Sequence, residues 1–321
     1  MSWLRSLAAA VLAMPAIASA APLSMCVYDP GGAAGDAFQA AKKYQTAALD
    51  WGAQLELRPY TSESVAANDF RNGKCDAALL TGVRSQQFSK AAYSIESMGV
   101  LPNYDALKAS LGTLAKEAAS SLMVSGDYEV AGVFPAGAVY LYINDRSRVD
   151  LAALAGKKVC TLDFDPSAKF MVEHIGAQVV PADVGTFASL FNNKSCDVAY
   201  APATAYGPLE LYKGLGDDGG IVKFPLSQLT LQVLIRSSSL PSGFGQASRA
   251  WAAGQFDSVL ELTTKAEADV DPKYWVTIPA ADSTKYVAMF KDVRGQLVSQ
   301  GVYDPTVVKL LEAIAAKYPG P

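Results

Sequence analysis

An approximate internal repeat constrains this chain more than any other feature. Phe70-Arg71-Asn72-Gly73-Lys74-Cys75-Asp76-Ala77-Ala78-Leu79-Leu80 aligns with Phe191-Asn192-Asn193-Lys194-Ser195-Cys196-Asp197-Val198-Ala199-Tyr200-Ala201. Both stretches read as a helix end, a polar turn, Cys-Asp and then a buried strand. Upstream of each, a second cysteine lies in a strand that ends at an acidic residue and a proline: Cys26-Val27-Tyr28-Asp29-Pro30 and Cys160-Thr161-Leu162-Asp163-Phe164-Asp165-Pro166. The first unit reads strand 25–29, helix 35–51, strand 54–60, helix 63–72 and strand 75–81. The second reads strand 157–162, helix 166–175, strand 177–180, helix 184–193 and strand 196–202. Strands alternating with helices at these spacings call for parallel sheets with right-handed crossovers.

If the strand order in each unit is 2-1-3, the first and third strands are neighbours. Cys26 then faces Cys75, and Cys160 faces Cys196. Four cysteines allow three pairings, and only this one keeps each bond inside a unit and repeats its geometry. The competing readings are four buried free thiols and a zinc site. The spacings are not finger-like, and the single histidine, His174, stands alone on a predicted helix. No metal and no cofactor are expected.

The N-terminus sets the compartment. Met1 to Arg5 form a short n-region, Leu7 to Ile17 an apolar h-region, and Ala18-Ser19-Ala20 a small-x-small site with cleavage expected after Ala20. The apolar run is shorter than the roughly 20 residues of a spanning helix. Leu23-Ser24-Met25-Cys26 resembles a lipobox only loosely, because Met is a poor residue before an acylated Cys. A soluble, monomeric protein of the bacterial periplasm is expected, where oxidised cysteines are permitted. A net charge of -4 and the lack of a basic run argue against nucleic acid as a partner. With 18% charged residues the composition is that of a globular chain, and the roughly 300 residues left after cleavage call for two lobes.

Between the units, 94–127 reads as irregular and helical, and Val139 to Asn144 as a strand leaving the first lobe. Leu229 to Arg236 is a second apolar β-rich run that returns to it. Two antiparallel crossings make a hinge. Phe244 to Thr264 and Ser283 to Lys317 are amphipathic and are expected to pack on the first lobe and against the hinge. The domain reading is therefore 21–138 with 232–321 as lobe 1, and 139–231 as lobe 2 including the hinge strands.

Several stretches carry a family resemblance. They are Tyr60-Thr61-Ser62-Glu63-Ser64-Val65-Ala66-Ala67-Asn68-Asp69-Phe70, Leu80-Thr81-Gly82-Val83-Arg84-Ser85-Gln86-Gln87-Phe88, Tyr128-Glu129-Val130-Ala131-Gly132, Tyr140-Leu141-Tyr142-Ile143-Asn144-Asp145-Arg146-Ser147, Pro208-Leu209-Glu210-Leu211-Tyr212-Lys213-Gly214-Leu215-Gly216 and Gly301-Val302-Tyr303-Asp304-Pro305. Together they resemble the solute-binding proteins encoded beside RND-type transporters in proteobacteria, which are similar in turn to TRAP-type dicarboxylate-binding proteins. The resemblance covers essentially the whole mature chain. It implies an α/β fold of the periplasmic binding protein type II-like kind, two α/β lobes joined by two crossing strands. It also implies capture of a small-molecule or lipid-like ligand and delivery to an inner-membrane transporter of the RND or TRAP type.

Ligands of open parallel sheets bind beyond the carboxyl ends of the strands. This puts Tyr28, Asp29, Tyr60, Thr81 and Arg84 on one wall, and Asp163, Phe164, Ala201, Pro202 and Tyr206 on the other. Glu129, Phe134 and Tyr140 are candidates from the crossing strand beneath. Each has a plainer reading: Arg84 as a helix-start surface residue, Glu129 and Asp29 as local caps, and the aromatics as core. The second unit carries no arginine between Val159 and Tyr206, and Lys169 and Lys194 are not expected at the cleft. That favours an apolar or weakly polar cargo over a dicarboxylate.

Asp29-Pro30-Gly31-Gly32-Ala33-Ala34-Gly35-Asp36 lacks the Lys-Ser/Thr ending of a phosphate loop and reads as a tight strand-to-helix turn. There is no Gly-x-Ser-x-Gly elbow and no base beside a nucleophile, so an enzyme is not expected. The alternatives are a sensory or adhesive ligand-binding module, and a hydrolase using Asp29 and Asp163.

Overall fold

The computed structural model of the chain describes residues 22–320. The expected signal sequence at 1–20, with its cleavage after Ala20, lies outside the described residues. Leu23–Tyr28 (β1) is buried from Ser24 onward, as a strand covered on both faces must be. Asp36–Ala48 (α1) turns Phe38, Ala41, Tyr44 and Ala48 inward at helical spacing. Leu55–Tyr60 (β2) is the edge strand, where Pro59 is tolerated. Glu63–Arg71 (α2) and Ala77–Thr81 (β3) complete the unit.

β1 pairs in parallel with both β2 and β3, in the order 2-1-3. The second unit repeats it. Lys158–Leu162 (here β6) lies between Gln178–Ala182 (β7) and Val198–Pro202 (β8), with the helices Pro166–His174 (α6) and Val184–Asn192 (α7) as crossovers. The Cys-Asp repeat has one explanation in both units. Asp76 accepts the Ser24 amide at 2.8 Å, and Asp197 accepts the Lys158 amide at 2.9 Å. Each carboxylate thus closes the open start of the central strand. The neighbouring cysteines form Cys26–Cys75 and Cys160–Cys196, with Cα separations of 5.8 and 5.5 Å, inside the normal range for a disulfide.

The short helices Gly82–Ser85 (α3) and Lys90–Ser94 (α4), the helix Tyr104–Leu114 (α5) and the short strand Val124–Ser125 (β4) lead to Tyr128–Ile143 (β5). This strand starts well before the expected Val139. Gly132, Pro135 and Gly137 disguise it in the sequence, but Pro135 sits where the register against the return strand shifts, and a bulge accommodates a proline. After Tyr212–Leu215 (α8) and Gly220–Val222 (β9), the return strand Ser227–Arg236 (β10) pairs with β5 and then with β3. Past Val139, β5 pairs with β8 instead. The two crossings join the lobe sheets into one, ordered β2-β1-β3-β10-β5-β8-β6-β7.

The C-terminal part, read from the sequence as belonging with the first lobe over 232–321, packs on both lobes. Phe244–Gly254 (α9) covers the first sheet, and Phe256–Asp269 (α10) lies along β5. Trp275–Val276 (β11) then pairs with β9 of the second lobe. Ala280–Ser299 (α11) packs on α6, placing Tyr286, Phe290, Val293 and Leu297 in one core with Ala168, Met171 and Val172. Pro305–Ala315 (α12) returns to α4 and α5. Amphipathic spacing announces an apolar face without naming the sheet it covers.

Gly99 adopts φ +60°, and a Cβ there would stand 2.6 Å from Phe290 of α11. Gly99→Ala is expected to cost about 2 kcal/mol through backbone strain and overpacking, read as a lower urea midpoint with unchanged slope.

Candidate ligand cleft

The carboxyl ends of the parallel strands in the two units face each other over the crossing strands. On the first wall, β1 ends at Tyr28, which is 6% exposed. Burial, then the charges of Glu63 and Asp29, push its phenol far above the ordinary range, so it stays neutral. Asp29 is spent on the turn that follows, accepting the Gly31 amide at 2.7 Å and the Phe38 amide at 3.0 Å. Its carboxylate uses amides that a phosphate loop would offer to a ligand.

Thr81 ends β3, and its hydroxyl caps α3 by accepting the Arg84 amide at 3.2 Å. Glu63, at the start of α2, is fixed behind them. Its Oε1 accepts the Thr81 amide at 2.7 Å, and its Oε2 stands 3.5 Å from the Arg84 Nε. The Arg84 guanidinium in turn lies 3.3 Å from the ring centroid of Phe164, on the opposite lobe. This is a cation–π contact across the cleft.

Two further contacts close the lobes together. Tyr93 of α4 donates to Asp165 at 2.7 Å, with Ser167 Oγ also at 2.7 Å. Asp165 caps α6 through the Ser167 and Ala168 amides. Val184, opening α7, packs on the first-lobe cluster that holds Tyr28.

Beneath Gly82, Glu96 Oε1 accepts both the amide and the hydroxyl of Thr230 on β10, each at 2.6 Å. A side chain at position 82 would collide with this carboxyl. Burial raises Glu96 from 4.5 to about 8; Asp165 and Glu63 act in the same direction, and the Thr230 donors oppose them. An acid whose folded value is raised contributes stability that is complete below its unfolded value and is lost as pH climbs through the folded one. Between pH 4.5 and 8 the Glu96 site therefore costs the fold progressively more. Glu96→Gln keeps the acceptor and removes the titration. Its melting temperature should gain on the wild type as pH rises from about 5 to about 9, measured by paired thermal scans.

The sequence profile of the family described as "Solute-binding protein AdeT 1/2" matches residues 45–320. The chain belongs to this family. It is 41% identical to the probable solute-binding protein AdeT1 of Acinetobacter baumannii over 291 residues, 91% of this chain and 96% of that one. Among solved structures, a TRAP periplasmic solute-binding protein from Desulfovibrio salexigens with bound orotic acid matches with a TM-score of 0.76 at 13% identity, covering 92% of this chain and 99% of that one. Another, from Chromohalobacter salexigens with bound d-glucuronate, matches with a TM-score of 0.72 at 16% identity over 92% and 99%. The chain is thus a solute-binding protein with the two-lobed TRAP-type fold.

In this AdeT-family chain Arg84 and Phe164 meet across the lobes; Thr81 caps the short helix that carries Arg84, and Tyr28 lies near enough to Glu63 and Arg84 to feel both charges. Asp163 is exposed at the end of β6. Ala201 is buried in the second-lobe core, and Pro202 ends β8 beside Gly137 of the crossing strand. Phe134 meets the edge of Trp251 on α9 at 6.3 Å.

Besides Asp29, three expected residues are engaged elsewhere. Glu129 pairs with Arg249 of α9. The Tyr140 hydroxyl donates to Glu267 of α10 at 3.0 Å, and Tyr206 meets Tyr212 edge-on and Tyr274 at a tilt. Glu63, Tyr93 and Glu96 were not anticipated. Only Glu63 left a signal, as an acid in the first turn of a helix that starts beside the strand ends.

Proposed function

We propose that this AdeT-family protein is exported to the periplasm by its N-terminal signal, captures a small ligand between its lobes and delivers it unchanged to an inner-membrane transporter of the RND or TRAP type. It acts as a monomer, without cofactor or chemistry. Its cargo is apolar or weakly polar, lipid-like rather than an organic acid, with Tyr28, Thr81, Arg84 and Phe164 meeting its polar end.

One observation carries the cargo reading. Arg84 is the arginine at the lobe contact, and it already stands against Glu63 below and Phe164 above. The second wall supports the same reading, since 159–206 holds no arginine and its Lys169 and Lys194 are exposed. Closure on cargo follows because only the closed state offers both walls at once.

The test is native mass spectrometry of protein purified from its own periplasm, with extraction of whatever co-purifies. A bound lipid or neutral organic molecule is the expected result. A bound organic acid would overturn the cargo reading, and a ligand returned chemically altered would overturn the carrier reading.

A further inference from the structure

The way Glu63 is held makes it more than a buried acid. Its side chain is 1% exposed and that of Arg84 15%. The Thr81 amide, 2.7 Å from Oε1, fixes the carboxylate in place so that it cannot swing away from the guanidinium. Phe164 covers Arg84 from the other lobe. A carboxylate ligand approaching this guanidinium would meet a cation whose charge is already offset a few ångströms behind it, in surroundings too dry to screen either charge. An uncharged acceptor such as a hydroxyl, ketone or ester oxygen meets no such penalty.

We propose that Glu63 is the specificity-determining residue of the cleft: by neutralising Arg84 it excludes organic anions and admits cargo whose polar end is an uncharged hydrogen-bond acceptor. This rests on the reading of the cleft as the ligand site. Glu63 acts by discrimination against the wrong ligand. Burial raises its carboxyl above the ordinary range, while the Thr81 donors and Arg84 pull it down. The groups facing it are Arg84 from α3, Tyr28 from β1 and, further off, Glu96. Protonation of Glu63 in acid should therefore release Arg84 for anions.

The experiment titrates orotate and D-glucuronate by calorimetry into the wild type, Glu63→Gln and the double variant Glu63→Gln/Arg84→Gln at about pH 8 and about pH 5. Both probes are anions throughout. The side-chain amide introduced by Glu63→Gln still accepts from Thr81, and thermal scans confirm folding. Glu63→Gln is expected to bind the anions at least about tenfold more tightly than the wild type at the higher pH, and the double variant to lose that gain. Any gain in anion affinity that the wild type shows on going to the lower pH should be absent from the Glu63→Gln variant, which carries no titrating carboxyl at that position.

Tight anion binding by the wild type at the higher pH, or no gain in folded Glu63→Gln, overturns the proposal. If Glu63→Gln misfolds, Glu63→Ala is titrated in its place, and no gain in anion affinity in that folded variant overturns the proposal. Failure of the capture reading is seen separately, as native protein that carries no cleft ligand at all.

Discussion

Replacing Cys26 and Cys75 with alanine, or Cys160 and Cys196, is expected to destabilise the protein by roughly 4 kcal/mol per bond. The bonds close chain separations of 49 and 36 residues, long enough for loop entropy to count heavily against the unfolded state. All four cysteines are fully buried, so each lost bond also leaves a packing defect. For a chain of this length about 4 kcal/mol lowers the melting temperature by roughly 6 °C. The two losses should add, since the bonds lie in different lobes with no shared partners. Calorimetry with and without reductant checks the size, and non-reducing peptide mapping checks the pairing. A link between Cys26 or Cys75 and Cys160 or Cys196 would break the two-unit architecture.

The repeat makes the fold readable, because one strand order applied to both units predicts the cysteine pairing in each, and the pairing found agrees with it. A bond between first and third strands requires them to be neighbours, and both units obey it. Strand and helix limits followed within a few residues, since the period changes sharply at Gly73, Asp165 and Asp183. The crossing strand was harder. Its glycines and its proline hide the strand before Val139, and the bulge against β10 accommodates the proline.

Among the C-terminal helices, α11 is the one whose place the sequence does not announce. The apolar stripe of α11 fits any core, and only β11 pairing with β9 carries the chain across to α6.

At the cleft, strand ends were legible and partners were not. Thr81 and Phe164 lie where the carboxyl-end rule puts them. That Arg84 reaches Phe164, and that Tyr93 reaches Asp165, depends on how two lobes meet, and no local pattern encodes it. Glu129 and Tyr140 show the converse. Alternation along β5 says which face a side chain takes, but not that α9 and α10 already cover that face.

Arg249→Met is expected to cost about 3–5 kcal/mol, because it strands the Glu129 carboxylate in a largely buried site. The two side chains are 4% and 16% exposed. Arg249 also donates to the Val130 carbonyl at 3.0 Å and to Gln246 at 3.0 Å, so its loss removes hydrogen bonds as well as the pair. Glu129→Gln should cost less, since the amide still accepts from the guanidinium. Adding Glu129→Gln to Arg249→Met should recover part of the larger loss, since no unpaired charge is then left behind.

Urea unfolding of the wild type and the three variants measures this cycle. Glu129 stands opposite Ile235, in the stretch where β10 also pairs with β3, several residues short of the hinge crossing. Ligand affinity should therefore stay unchanged in Glu129→Gln while stability falls. A loss of affinity at equal stability would return Glu129 to the cleft and leave its bond to Arg249 incidental.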